Sequence, residues 1–127
     1  MPSLEQLGSE KYVLLTTYRR DGRAVPTALW VLPDGDGLAF WTPRDSGKVK
    51  RIRNSGRVTV TACDLRGNPR GEALPGTARL GDEADRKHFG RVLARKYGLM
   101  GRLTLLGSRI RRTVDGTVII RVKPVEA

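Results

Sequence analysis

The sequence contains very few of the residues that build disulfide frameworks and metal centres. Cys63 is the one cysteine and His88 the one histidine among 127 residues. A single cysteine excludes an internal disulfide, and the lack of a Cys/His cluster argues against a zinc site. This composition is typical of a reducing compartment, so we expect a cytoplasmic protein without a bound metal. Cys63 is expected to be a buried packing thiol, and His88 a surface residue.

Long apolar runs are also missing. No stretch of about eighteen consecutive apolar residues occurs, and the first residues, MPSLEQLGSEK, lack the charged and apolar segments of a secretory leader. We therefore expect a soluble chain with no integral membrane association. With 127 residues, of which 39% are hydrophobic, residues 1–127 are expected to form a single domain around one core.

Acidic residues are in deficit, because 24 Lys and Arg stand against 13 Asp and Glu and give a net charge of +11. The excess is concentrated in two segments. Residues 41–57 hold six basic residues and one acidic residue, and residues 99–112 hold four basic residues and no acidic one. Such a surface attracts polyanions, which include nucleic acids, acidic membranes and acidic cofactors.

What the chain does contain is a series of short β-branched and aromatic segments separated by turn residues. The segments predicted as strands are 12–18, 23–32, 38–42, 57–63, 70–81 and 117–122. Pro26 lies in the second of them and cannot donate a ladder hydrogen bond, so that strand is expected at a sheet edge or at a bulge.

Two helices are predicted among these strands. A short basic helix begins near Ser46 and ends at Gly56, and a longer amphipathic helix begins at Asp82 and ends at Gly98. The chain is therefore predicted to be mainly β with minor α content. We expect an antiparallel barrel of about six strands carrying these two helices.

The stretch from Phe40 to Val60, FWTPRDSGKVKRIRNSGRVTV, is the strongest candidate for a binding site. Lys48 and Arg51 are three residues apart in the predicted helix, so their charged ends converge beside its apolar face. A helix N-terminus carries about half a positive charge and free N–H groups. The stretch predicts a site for a phosphate or carboxylate.

Two alternatives remain open at this point. One is that the basic residues form only a solvated helix face, which is the usual role of charge runs. Nucleic-acid binding is the other alternative, prompted by charge alone. The low aromatic content of 6% and the absence of a helix-turn-helix or stacking pattern argue against it.

Several segments in succession carry a family resemblance. KYVLLTTYRRDGRAVPTALWV, LAFWTPRDSGKVKRIRNSGRVTV, GTARL and ARKYGL together resemble the pyridoxamine 5'-phosphate oxidase-like split β-barrel superfamily. Within it, the chain is similar to the small actinobacterial branch that uses the deazaflavin coenzyme F-420. The resemblance implies a split barrel that forms a homodimer, with the cofactor at the subunit interface. The C-terminal substrate-phosphate motif of true pyridoxamine phosphate oxidases has no counterpart, so vitamin B6 oxidation is not expected.

The resemblance also implies the residues that bind the cofactor. Hydroxyl and basic groups in and before the basic helix would hold its phosphate: Thr42, Ser46, Lys48, Lys50 and Arg51. The tricyclic ring would lie beside Val25, Pro26, Thr27, Ala28 and Trp41. Relatives often carry a proline where Ser55 and Gly56 stand, which changes only the helix exit.

The expected function is that of a deazaflavin-dependent reductase, which transfers hydride to an electrophilic small molecule such as an enone or a quinone. Coenzyme F-420 carries a phosphodiester and a polyglutamate tail, which suits a chain of net charge +11. FMN in an enzyme of the same fold and a non-catalytic cofactor-binding protein are the alternatives. No catalytic acid or base is predicted, because the ring itself carries the hydride.

The second basic segment, residues 99–112, has two interpretations. Its bases could bind the acidic cofactor tail, or they could form a solvated or acid-paired loop: Arg102, Arg109, Arg111 and Arg112. Trp30 is likewise left open between a core position and a pocket wall.

Overall fold

The computed structural model describes residues 3–111 and 116–125, and within them the backbone but not the side chains of residues 99–111. The described part contains three helices: α1 (Leu4–Leu7), α2 (Gly47–Asn54) and α3 (Glu83–Arg111). It contains seven strands: β1 (Tyr12–Tyr18), β2 (Ala24–Trp30), β3 (Leu32–Asp34), β4 (Gly37–Pro43), β5 (Arg57–Cys63), β6 (Leu74–Leu80) and β7 (Thr117–Pro124). None of the described helices is long and apolar enough to cross a membrane.

The seven strands form one antiparallel sheet in the order β2-β1-β5-β6-β7-β4-β3. The sheet curls, because β2 at one edge comes into contact with β4 near the other edge. This half-closed sheet is consistent with a split β-barrel and confirms the predicted fold class. Pro26 lies on β2, an edge strand, as the missing N–H of proline predicts.

Two elements differ from the prediction. The described residues form seven strands and not six, because Leu32–Asp34 forms a short edge strand that pairs with Gly37–Ala39 across a tight turn. Gly35 in this turn has φ +60, a conformation that glycine adopts without strain. The N-terminal helix α1 was not predicted. It begins with a capping box, in which Ser3 and Gln6 each bond the backbone of the other.

The concave face of the curled sheet encloses the larger of the two apolar clusters. Alternate side chains of β1, β4, β5 and β7 fill it, including Val13, Leu15 and Phe40, which have 0% exposure. Leu4 and Leu7 of α1 belong to this cluster, as does Ile52 of α2. The two short helices therefore pack on the inside of the sheet, and we call this side the inner face.

The opposite side of the sheet, the outer face, packs against α3. Phe89 and Leu93 of α3 are buried there with Leu32, Ala39 and Ile119. His88, the neighbour of Phe89, is exposed as predicted, and Cys63 is buried as predicted. The apolar period of the helix thus fixes which of its sides meets the sheet.

Gly98 interrupts α3 with φ 57 and ψ −129, which is not helical. The predicted helix end at this glycine is therefore confirmed. The segment beyond it is helical as far as Arg111, so the loop conformation considered for this segment is wrong for its described backbone. The side chains of Arg102, Arg109 and Arg111 and the whole of Arg112 lie outside the described residues, so the interpretation of this basic segment stays a prediction.

Candidate functional site

The N-terminus of α2 lies at one end of the sheet, after the turn that follows β4. Ser46 is the N-cap residue, but its side chain makes no capping hydrogen bond. Val49 and Ile52 are buried against the sheet, which fixes the rotation of the helix. The residues one position before these two, Lys48 and Arg51, therefore lie beside the buried face and not on the outer side of the helix.

Arg51 is held between β1 and the first turn of α2. Its Nε donates to Oγ1 of Thr17 at 2.6 Å, and that hydroxyl lies 3.5 Å from the carbonyl oxygen of Val25. A methyl group on Gly47 would lie 2.8 Å from Nη1 of Arg51, so the guanidinium folds directly over this glycine. The position of the guanidinium thus depends on the absence of a side chain at residue 47.

Lys48 is half-buried beside Arg51. Burial lowers the pKa of the Lys48 ammonium, and the charge of Arg51 lowers it further. The pKa of Arg51 is also lowered, by burial and by the charge of Arg19 on the β1–β2 turn. Three cations therefore lie close enough to repel one another, and an anion bound among them would relieve that repulsion.

Three polar side-chain atoms on β4 and at the start of α2 are buried without a partner among the described residues. Oγ1 of Thr42 and Oγ of Ser46 make no hydrogen bond among the described residues, and neither does Nε1 of Trp41. Thr42 has 0% exposure. A buried polar group without a partner costs about 1 to 3 kcal/mol, so such groups are rare in folded proteins unless a ligand or water satisfies them.

The remaining member of the predicted phosphate set differs from the others. Lys50 is exposed, whereas Thr42 is buried and Ser46, Lys48 and Arg51 are partly buried. It follows Val49, whose side chain points to the sheet. Lys50 therefore faces solvent, whereas the other four predicted phosphate ligands are at least partly buried.

The predicted ring contacts on β2 divide between the two faces of the sheet. Val25 pairs with Thr17 and Thr27 with Leu15, so both share the inner face with buried residues of β1. Pro26 and Ala28 alternate with them and share the outer face with Thr16 and Leu14. Trp41 also lies on the outer face, since it pairs with Ile119 of the cluster under α3.

A cavity of about 320 Å³ lies on the outer face at the split between β2 and β4. It brings together the predicted residues Ala28 and Trp41. Among the described residues, its lining is Tyr12, Ala28, Leu29, Trp30, Trp41, Leu65 and Leu93. Because most of these side chains are apolar and two are indoles, the cavity suits a flat, largely apolar group.

The strand β2 connects the cation cluster with this cavity. Val25 lies at the Thr17 and Arg51 end, and Ala28 lies at the cavity end. Three residues of extended strand span about 10 Å. An elongated ligand along the edge of β2 could therefore reach both places at once.

The predicted site lacked Thr17, Tyr12, Leu29, Leu65 and Leu93. Trp30, which the sequence left open between a core position and a pocket wall, lines the cavity. Thr17 had a usable signal, because it lies on the same face of its strand as Val13 and Leu15, where a hydroxyl is unusual. Leu65 and Leu93 gave none. They reach the cavity from the β5–β6 loop and from α3, and their sequence positions are remote from β2.

Solved structures of similar fold agree with this architecture. An F-420 reductase is 22% identical with a TM-score of 0.68, and the match covers 99% of this chain and 97% of that one. A conserved hypothetical protein from Mycobacterium tuberculosis is 20% identical with a TM-score of 0.70 and coverage of 94% and 76%. The heme storage protein of Vibrio cholerae is 13% identical with a TM-score of 0.66 and coverage of 93% and 84%. At these identities the likeness shows the fold alone.

No curated protein matches the sequence. The family profile described as pyridoxamine 5'-phosphate oxidase matches residues 3–127, nearly the whole chain. Its wider superfamily includes flavin- and deazaflavin-binding oxidoreductases. The split-barrel sheet, the basic helix and this match agree, and the chain belongs to the pyridoxamine 5'-phosphate oxidase family.

Proposed function

We propose that this protein is an oxidoreductase that binds the deazaflavin coenzyme F-420 and delivers its hydride to an electrophilic small molecule such as an enone or a quinone. One observation carries the proposal. Ser46, the N-cap of α2, and Thr42, near the end of β4, have buried hydroxyls without a partner among the described residues, and the helix cations Lys48 and Arg51 are partly buried. This arrangement fits an anionic group that accepts hydrogen bonds.

A phosphate fits the donors at this helix. The hydroxyls of Thr42 and Ser46 would donate to its oxygens after the side chains that cover them move, and Lys48 and Arg51 would supply charge-assisted hydrogen bonds. The N–H groups of the first turn add the positive end of the helix dipole. Because Nε of Arg51 is already bonded to Thr17, the guanidinium would meet the phosphate in a preset orientation.

The ring of the cofactor would lie along the edge of β2 with one end in the outer-face cavity. Pro26 offers no N–H to the sheet, so β2 is adapted to an edge position that a ligand can approach. Ala28 has a small side chain, which leaves room in the cavity that Trp30 and Trp41 also line. The buried Nε1 of Trp41 would gain a partner if the ligand offers an acceptor.

Charge favours coenzyme F-420 over FMN. A net charge of +11 and the position of Arg19 beside Arg51 suit a ligand with a polyglutamate tail. The similarity to a structure of an F-420 reductase supports the same choice. FMN remains the alternative, because it too combines a tricyclic ring with a phosphate. Membership in the deazaflavin-using branch is part of this proposal.

The bound ring would supply the hydride, and the chain would bind, orient and desolvate the reacting pair. The apolar lining of the cavity would exclude water from the ring face. We assign no acid or base to the transfer. The contributions of this chain are the phosphate anchor, the β2 edge and the indole walls.

We also propose a cytoplasmic homodimer whose second copy completes the cofactor site. Leu65 is 70% exposed although it lines the cavity, and it is a large apolar side chain. Covering it with a second copy would close the mouth of the cavity. Sedimentation of the purified protein should show twice the mass of 14.0 kDa, and a monomer at micromolar concentration would contradict this assembly.

A titration of the purified protein with coenzyme F-420 and with FMN tests the proposed cofactor. We expect quenching of the deazaflavin fluorescence at micromolar or lower concentration and weaker binding of FMN. Tight binding of FMN with none of coenzyme F-420 would identify a flavin enzyme instead. Binding of coenzyme F-420 without turnover of any enone or quinone in a panel would favour a non-catalytic cofactor-binding protein.

A further inference from the structure

Lys96 of α3 bonds only with main-chain groups of other segments in the hydrogen bonds described. Its Nζ donates to the carbonyl oxygens of Gly8 at 2.8 Å, Glu10 at 2.6 Å and Val31 at 2.7 Å. An ammonium has three hydrogens, so each can meet one of these oxygens. The side chain thereby connects α3 with the α1–β1 loop and with the residue between β2 and β3.

Tyr97 joins the same two segments. Its hydroxyl accepts from the N–H of Val31 at 3.0 Å and lies 2.8 Å from the carbonyl oxygen of Lys11 and 2.9 Å from that of Val31. A phenol has one proton, and the Val31 carbonyl already receives the ammonium of Lys96, so the proton belongs with Lys11. Burial raises the pKa of Tyr97 to about 12, which keeps the hydroxyl protonated.

Val31 is the residue on which these contacts converge. It is fully buried and lies between the end of β2 and the start of β3. Its N–H and its C=O both bond with side chains of α3. The break between the two strands is therefore held by Lys96 and Tyr97, and we call this pair the α3 clamp.

The neighbour of Val31 on β2 is a wall of the cavity. The ring of Trp30 stacks on that of Tyr97 with centroids 4.3 Å apart and planes at 6°. Trp30 lines the cavity together with Ala28 and Trp41. The clamp thus fixes both the backbone beside Trp30 and one face of its indole.

Attachment of α3 alone does not require this arrangement. Phe89 and Leu93 already bury apolar side chains of the helix against the sheet. Burial lowers the pKa of Lys96 to about 8, so placing a charged group here has a cost. An apolar residue would attach the helix without that cost but could not bond the Val31 carbonyl.

We infer that Lys96 and Tyr97 are positioning residues for the ring-binding cavity, which they shape by fixing Val31 and, through it, the indole of Trp30. The inference rests on the proposed function, since it assigns the cavity to the cofactor ring. Neither residue is a phosphate ligand, because the cation cluster lies at the opposite end of β2. The clamp should therefore affect recognition of the ring and not of the phosphate.

Two variants remove the hydrogen bonds and keep the shape. Tyr97→Phe retains the stack on Trp30, and Lys96→Met retains the length of the side chain. We expect each to weaken binding of coenzyme F-420 by about tenfold, because small displacements of positioning groups have effects of this size. A deazaflavin without the phosphate chain should lose the same factor, so the ratio of the two affinities stays constant. Lys87→Met, which changes an exposed lysine of the same helix, is the matched control.

A second measurement does not depend on any cofactor. In a Trp41→Phe background, the emission of ligand-free protein comes from Trp30 alone. Tyr97→Phe and Lys96→Met should change its wavelength and its quenching by acrylamide, while Lys87→Met should not. If the wild type binds neither cofactor, the proposed function fails, and this emission still decides whether the clamp positions Trp30.

Two results would overturn the inference. One is an unchanged Trp30 emission in both clamp variants. The other is a loss of affinity confined to the phosphorylated ligand, which would place the effect at the cation cluster. A variant that unfolds is identified by its circular dichroism, and Tyr97→Phe, which removes one oxygen atom, is the variant to rely on in that case.

Discussion

Two lysines of this protein, Lys48 and Lys96, are both partly buried, but their surroundings differ. Burial lowers the pKa of both Lys48 and Lys96. Lys96 is bonded to three carbonyl oxygens, whereas Lys48 stands beside another cation, Arg51, on a helix whose N-cap hydroxyl, on Ser46, has no partner among the described residues. The hydrogen bonds of Lys96 are all satisfied, whereas the surroundings of Lys48 contain donors and positive charge that a bound anion would satisfy. Burial of a charge alone therefore does not identify a binding site; the state of its neighbours does.

The difference has an energetic basis. An ammonium bonded to three carbonyls recovers part of its lost hydration, so the α3 clamp needs no ligand to satisfy it. At α2, repulsion between Lys48 and Arg51 and two unsatisfied hydroxyls raise the free energy of the ligand-free protein. A bound anion would remove these unfavourable interactions, and the free energy released would add to its affinity. The three predictions that follow test this contrast.

The largest effect is expected from removing both cations at α2. Lys48→Ala combined with Arg51→Ala should weaken cofactor binding by about 100-fold, because two charge-assisted hydrogen bonds contribute roughly 3 kcal/mol or more. The free energy of unfolding should change by less than about 1 kcal/mol, since the mutual repulsion of the two cations disappears as well. Fluorescence titration and urea denaturation measure the two quantities.

Arg53→Ala is the matched control for this pair. Arg53 lies on the same helix and is exposed, so its loss should change the affinity by less than about threefold. Equal effects of the double variant and the control would mean that the helix is only a solvated basic face.

The second prediction concerns pH and the α3 clamp. In the folded chain the pKa of Lys96 is about 8, against 10.5 for an ordinary lysine. Below pH 8 the ammonium is charged in both the folded and the unfolded chain. Between pH 8 and 10.5 the folded chain has released a proton that the unfolded chain still holds, so stability attributable to Lys96 rises with pH.

The measurement is urea denaturation of the wild type and of Lys96→Met at pH 7.5 and at pH 9.5. Other groups titrate alike in both proteins and cancel in the difference. Relative to the variant, the wild type should gain on the order of 2 kcal/mol between the two pH values. A difference that stays constant, or that moves in favour of the variant, would show that Lys96 does not titrate in this range.

The smallest expected effect is the one that best distinguishes a ligand-binding role of Thr42 from a structural role. Thr42→Val replaces a buried hydroxyl without a partner by a methyl group of the same size. The ligand-free protein should become more stable by about 1 kcal/mol, while cofactor affinity falls about tenfold. Opposite signs in stability and binding are expected only if the hydroxyl is kept for a ligand. A loss of stability would place Thr42 among ordinary structural residues.

The parts that could be predicted from the sequence are those set by local signals. The strands β1, β5 and β7 followed from runs of β-branched residues, and α2 from its cap and its apolar pair Val49 and Ile52. The break at Gly98 followed from glycine alone. Helix α1 has a local signal in the sequence, the Ser3 and Gln6 capping box. Strand β3 had none, because three residues containing a proline show no alternation.

The candidate site could be predicted only in part, for a related reason. Lys48 and Arg51 are close in sequence, so helix geometry was sufficient to bring them together. The α3 clamp joins residues separated by 65 to 88 positions, and nothing in the local pattern around Lys96 and Tyr97 indicates that they bond the chain at Val31. The cavity depends on the curl of the sheet, which no single segment specifies.

Both edge strands of the sheet carry a proline, Pro26 on β2 and Pro33 on β3. An open sheet edge offers a row of donors and acceptors to which another chain can add strands without limit. Proline interrupts that row, since it brings no donor and its ring obstructs close approach. The split that admits a small ligand is thus also the place where uncontrolled assembly would start. These prolines should keep the protein in solution at concentrations at which Pro26→Val and Pro33→Val variants form aggregates.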